Sequence, residues 1–60
     1  MNETKYQVTV IDENDKWITV DIEAATVDQA CLRAEVHGKP TRVWRKGILV
    51  WSAQGAEMEA

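Results

Sequence analysis

The sequence predicts an α+β fold, ββαββ, in which four antiparallel strands form one sheet with a single helix packed on one face. Three observations predict it. Two alternating, β-branched stretches, Lys5–Ile11 and Lys16–Glu23, flank an acidic break at Asp12-Glu13-Asn14-Asp15. A run of small residues at helical spacing then follows Thr26 and meets Gly38 and Pro40. Finally, Val43-Trp44-Arg45-Lys46-Gly47-Ile48-Leu49-Val50-Trp51 reads as two strands folded back at Lys46-Gly47, because a two-residue turn with Gly second suits the mirror-image turns that match strand twist. Placing the third strand beside the first gives the spatial order 2-1-3-4 and makes every neighbouring pair antiparallel.

Each element has a residue-level reason. In the first strand Tyr6, Val8 and Val10 share one face, and Gln7, Thr9 and Ile11 the other. In the second, Ile18, Val20 and Ile22 face the core, while Trp17, Thr19, Asp21 and Glu23 face away. Thr26 is an N-cap, Asp28 suits the positive end of the helix dipole, and a helix is expected from Val27 to about His37. Gly38 would close it in the left-handed conformation, and Pro40 cannot continue it. Val27, Ala30, Cys31 and Ala34 form the stripe that lies on the sheet, with Leu32 and Val36 on nearly the opposite side. A regular hairpin would set Arg45 opposite Ile48, Trp44 opposite Leu49, Val43 opposite Val50 and Arg42 opposite Trp51. All three tryptophans then point away from the Val/Ile core.

At 60 residues the chain is one small domain, with residues 1–4 and 53–60 expected as mobile tails. Its longest apolar run, Ile48 to Trp51, is far short of the roughly 20 residues that span a bilayer, so a cytoplasmic protein without a membrane segment is expected. One cysteine and one histidine supply neither an intrachain disulfide nor a zinc site. Phosphate loops and nucleophile motifs are missing, so no catalytic residue, metal or cofactor is expected and the chain is not read as an enzyme. The net charge of −3 is unevenly spread: residues 1–35 carry eight acids against Lys5, Lys16 and Arg33, whereas residues 36–52 carry Lys39, Arg42, Arg45 and Lys46 with no acid.

Two surfaces follow from this distribution. The basic, aromatic one groups Arg42, Trp44, Arg45 and Trp51 with Trp17 as partner-binding residues, since Trp and Arg dominate interface hot spots. The acidic one groups Asp12, Glu13 and Asp15 in the first loop, with Asp21 and Glu23 beyond, and could occupy a basic channel that normally holds nucleic acid. A host protein complex, single-stranded nucleic acid and a second copy of the chain all suit these surfaces as partners, nucleic acid being the less favoured on an acidic protein.

The segment Ile22-Glu23-Ala24-Ala25-Thr26-Val27-Asp28-Gln29-Ala30, continued by Ala34-Glu35 and Thr41-Arg42-Val43, resembles the small bacteriophage proteins that inhibit host bacterial RNA polymerase. The resemblance covers about half of the chain. It implies that an arginine at Arg42 helps to bind the polymerase, and that an acidic strip lies in the nucleic-acid channel. The family's second arginine falls at Trp44, with Arg45 one place later, and the strand Ile48 to Trp51 has no counterpart. Small phage-encoded anti-CRISPR proteins are similar in size, charge and strand-helix-strand order. The resemblance therefore implies a viral inhibitor of transcription or of a CRISPR effector, acting in the host bacterial cytoplasm by occluding a surface.

Overall fold

The computed structural model describes residues 3–53; of the tails expected at residues 1–4 and 53–60, residues 1–2 and 54–60 lie outside it, while Thr4 pairs with Ala24 and Ala53 N donates to Thr41 O at 2.7 Å. The described residues form β1 (Thr4–Ile11), β2 (Trp17–Ala24), α1 (Val27–Ala34), β3 (Lys39–Arg45) and β4 (Ile48–Ser52). They build one four-stranded antiparallel sheet in the order β2-β1-β3-β4, with α1 packed on β1, β2 and β3. This is the architecture that the alternation predicts. β1 begins one residue earlier than Lys5, since Thr4 already pairs with Ala24.

The first hairpin closes through a three-residue loop. Asp12 N donates to Lys16 O at 2.9 Å, Asp15 N donates to Asp12 O at 3.0 Å, and Asp15 takes the left-handed φ of 61° that such loops require at their last position. The second turn has positive φ at both Lys46 (52°) and Gly47 (80°), the mirror-image geometry expected of a two-residue hairpin.

The core lies between the sheet and α1: Tyr6, Val8, Val10, Ile22, Ala24, Ala30, Ala34 and Val43, flanked by Val20, Val27, Cys31 and Trp51. Ala30 and Ala34 are fully buried, so the helix axis approaches the sheet as closely as an alanine permits. Its start is fixed by Thr26, whose Oγ1 accepts from Gln29 N at 3.2 Å while Gln29 Oε1 accepts from Ala25 N at 3.0 Å. Arg33 ties the helix to the strands beneath, donating to Glu3 Oε2 at 3.2 Å and to the Glu23 carbonyl.

Four expectations are corrected. The helix ends at Ala34, not near His37; residues 35–37 form a turn in which His37 N donates to Ala34 O. Gly38 is accordingly no left-handed cap: its φ is 156°, and a Cβ there would lie 2.5 Å from the Ile11 carbonyl oxygen, so glycine is required by close backbone approach. Ile18 is 39% exposed, because α1 covers the Ile22 and Ala24 end of β2 and stops short of its start. The β3–β4 ladder, finally, is not regular. Arg45 pairs with Ile48 and Trp44 with Leu49 as expected, but Val43 then pairs with Trp51 and Arg42 with Ser52, leaving Val50 as the extra residue of a bulge.

That bulge reverses one side chain. Val43 points into the core, so its partner Trp51 comes to the helix side and packs against the core cluster, instead of joining the other tryptophans. Burying most of an indole outweighs one irregular ladder step, since a Trp removes some 150–250 Å² from water. A second bulge, between Thr9 and Val10, accommodates Pro40 in β3; Thr41 is the extra residue there, and its buried Oγ1 donates to Thr9 O at 2.9 Å.

Candidate recognition face

The sheet face opposite α1 is covered by no element among the described residues. Alternation fixes its composition, and the ladder fixes the rows. Asp21, Gln7, Trp44 and Leu49 lie side by side in one row; Thr19, Thr9, Arg42 and Ser52 form the next; Trp17 pairs with Ile11 beyond. Trp17, Arg42 and Trp44, three of the five residues assigned to partner binding, therefore meet on a single surface.

Their geometry is specific. The Arg42 guanidinium carbon lies 5.5 Å from the centroid of the Trp17 ring, within cation–π range. To get there it leans across β1 by one row, because its own ladder partner is Thr9 while Trp17 belongs with Ile11. Trp44 leans the same way: its ladder partner is Gln7, yet its Nε1 donates to Thr9 Oγ1 at 3.3 Å. Thr9 Oγ1 is in turn 3.1 Å from Thr19 Oγ1. Thr9 is only 9% exposed, whereas Trp17 remains 45% exposed. Thr9 forms the floor, with exposed Thr19 beside it, and Arg42 and Trp44 flank it on β3 with Trp17 on β2.

The remaining two sites are placed elsewhere. Trp51 belongs to the core side, as described above, and Arg45 shares the parity of Val43 and projects near the hairpin tip, exposed. The acidic residues separate as well. Asp12 Oδ1 accepts from Asn14 N at 2.8 Å and from Lys16 N at 3.0 Å, so this carboxylate is engaged in shaping the loop. Glu13 and Asp15 are exposed beside it, and Asp21 and Glu23 line the β2 margin of the recognition face itself.

A cleft of about 420 Å³ separates the first loop from the end of the helix, lined by Asp12, Glu13, Asn14, Glu35, Val36, His37 and Gly38. Among the described residues no three His, Cys, Asp or Glu side chains come together to hold a metal ion. Cys31 lies half-buried on the helix stripe, where burial first, and then the carboxylates of Asp28 and Glu35, push its thiol pKa up. A raised value favours the inert thiol over the reactive thiolate. No helix among the described residues is long and apolar enough to cross a membrane.

Thr9, Thr19 and Gln29 were not singled out from the sequence. Alternation alone puts Thr9 and Thr19 on the tryptophan face, and Thr26-x-x-Gln29 is a capping-box spacing, so each had a readable signal. Comparison with protein-family models, curated proteins and solved structures finds no match for this chain.

Proposed function

We propose that this chain is a phage-type small acidic protein that binds a host nucleic-acid-handling complex, RNA polymerase or a CRISPR effector, in the bacterial cytoplasm and inhibits it by occluding a surface. The observation that carries the docking surface is the cation–π pair of Arg42, 5.5 Å over Trp17, beside Trp44 on the sheet face that no element among the described residues covers. Large, partly exposed aromatic and guanidinium groups held in place are the side chains that anchor protein interfaces. A protein is favoured over nucleic acid because Asp21 and Glu23 stand on the same face and would repel a phosphate backbone tracking along it. The resemblance through Arg42 supports the class of target.

Affinity capture from a bacterial lysate, nuclease-treated and using the full chain as bait, tests the reading. The expected result is recovery of a polymerase or CRISPR complex, its inhibition in a purified assay, and loss of both with Trp17→Ala/Arg42→Ala at unchanged circular dichroism. Recovery that survives the double substitution in a folded variant refutes the face. Binding that instead follows naked oligonucleotide and collapses steeply between low and moderate salt refutes the protein partner.

A second reading, a homodimeric module without separate activity, is favoured by β4. Ile48, Leu49 and Val50 are consecutive, apolar and exposed on an edge strand that carries no charge, so two copies could meet there without opposing like charges. Sedimentation equilibrium distinguishes it, because a dimer mass that disappears in Leu49→Lys would support it and a monomer at all concentrations would end it.

A further inference from the structure

We infer that Thr9, backed by Thr19, is a positioning residue of the recognition face: its hydroxyl fixes the indole of Trp44 before any partner arrives. The inference rests on the docking reading above and concerns how that surface is made ready. An indole N–H can only donate, so at the 3.3 Å contact Thr9 Oγ1 is the acceptor. The second contact, 3.1 Å to Thr19 Oγ1, ties that acceptor to β2. The Trp44 ring is thus referenced through two hydroxyls to two neighbouring strands, its N–H reaching the row beyond that of its own ladder partner, Gln7.

The arrangement has a reason beyond packing. A tryptophan free to change rotamer must be immobilised when a partner binds, which subtracts from affinity; one already held avoids that loss. Arg42 is prepared in the same manner, leaning one row along β1 onto Trp17. The two side chains lean in the same direction, so the face presents a staggered series, Trp44 and Arg42 from β3 and Trp17 from β2. Thr9 lies beneath the middle of this series and is nearly closed off from solvent. A hydroxyl in that place is the one feature that a valine of the same shape would lack.

Thr9→Val in the full chain therefore tests the inference, with Thr9→Ser as the restoring variant and Trp44→Ala as the control for the face. The first readout needs no partner: hydrogen exchange of the side-chain indole protons, followed by ¹⁵N-resolved NMR. In Thr9→Val the Trp44 indole proton should exchange about 10-fold faster while that of Trp51 is unchanged, and Thr9→Ser should restore the slow rate. The second is affinity for purified bacterial RNA polymerase, expected to weaken about 5- to 10-fold in Thr9→Val and to recover in Thr9→Ser. An unchanged Trp44 exchange rate in Thr9→Val overturns the positioning role. So does an unchanged affinity in Thr9→Val beside a lost one in Trp44→Ala, a result that leaves the docking face standing. Affinity unaffected by Trp44→Ala overturns the face and this inference with it.

Discussion

Three single positions show how differently one atom can matter. Gly38 and Gly47 both have positive φ, but a Cβ at Gly38 would meet the Ile11 carbonyl at 2.5 Å, and one at Gly47 would meet nothing within 4 Å. Gly47→Ala is therefore expected to cost about 1 kcal/mol, from backbone strain alone, and Gly38→Ala about 3 kcal/mol, because the backbone of β1 must also move. Urea unfolding of the two variants checks the order, and equal losses would refute the close approach. At Cys31 the folded chain holds its proton more tightly than the unfolded chain does. The stability this adds is present below the ordinary thiol value of about 8.5 and is lost as the pH rises through the folded-state value. Alkylation by iodoacetamide should accordingly show its inflection at higher pH in the folded chain than in urea; the reverse order would exclude burial as the cause. Gly38 was legible as punctuation from its place before Pro40, but the reason for it, contact with a carbonyl 27 positions earlier, exists only once the chain has folded.

At the level of elements, β4 is where sequence and structure part. Period-two alternation reads Val50 as the partner of Val43 and turns Trp51 outward; the structure inserts a bulge and turns Trp51 inward. The two registers differ by one residue, and a slip of one exchanges the faces of everything beyond it. What decides between them is the space beside Val43 that α1, packed on β1, β2 and β3, leaves for an indole, and no local pattern in β4 reports that space. Trp51→Thr removes the gain from burial. It should let the hairpin revert to the regular ladder, with cross-strand NOEs between Val43 and Val50; persistence of the Val43 to residue-51 contact would mean that the bulge has another cause. By contrast the grouping of β1 and of the helix stripe was legible outright, since Tyr6, Val8 and Val10 share the core face and Ala30 and Ala34 pack on it, whereas in β2 only the Ile22 end of the expected stripe is buried. The early end of α1 was not, because it follows from the turn through residues 35–37 that brings Gly38 against β1.

For the whole molecule, the separation of charge along the sequence becomes a separation in space. The strand order places acidic β2 at one edge of the sheet and the cationic β3–β4 hairpin at the other, and the recognition face spans both, from Asp21 and Glu23 to Arg42. A molecule built in this way enters an external field with a preferred orientation, so salt should slow its encounter with a charged partner more than it shortens the life of the complex. Trp17 and Trp44, the two tryptophans on the candidate face, were legible from alternation, as was Arg42. Their assembly was not: it depends on Trp44 reaching Thr9 and on Arg42 reaching the Trp17 ring, contacts one row away that the spacing of the two residues does not report.

The bulge at Val50 also has a meaning for descent. An edge strand that stores one residue outside its ladder can lose that residue and keep the pairs Trp44 with Leu49, Val43 with Trp51 and Arg42 with Ser52 unchanged. The other bulge residue, Thr41, is buried and bonded to Thr9 O, and within the regular ladders a deletion would carry core side chains to the surface. Length variation among descendants of this chain is therefore best tolerated at Val50, where the fold already treats a residue as optional.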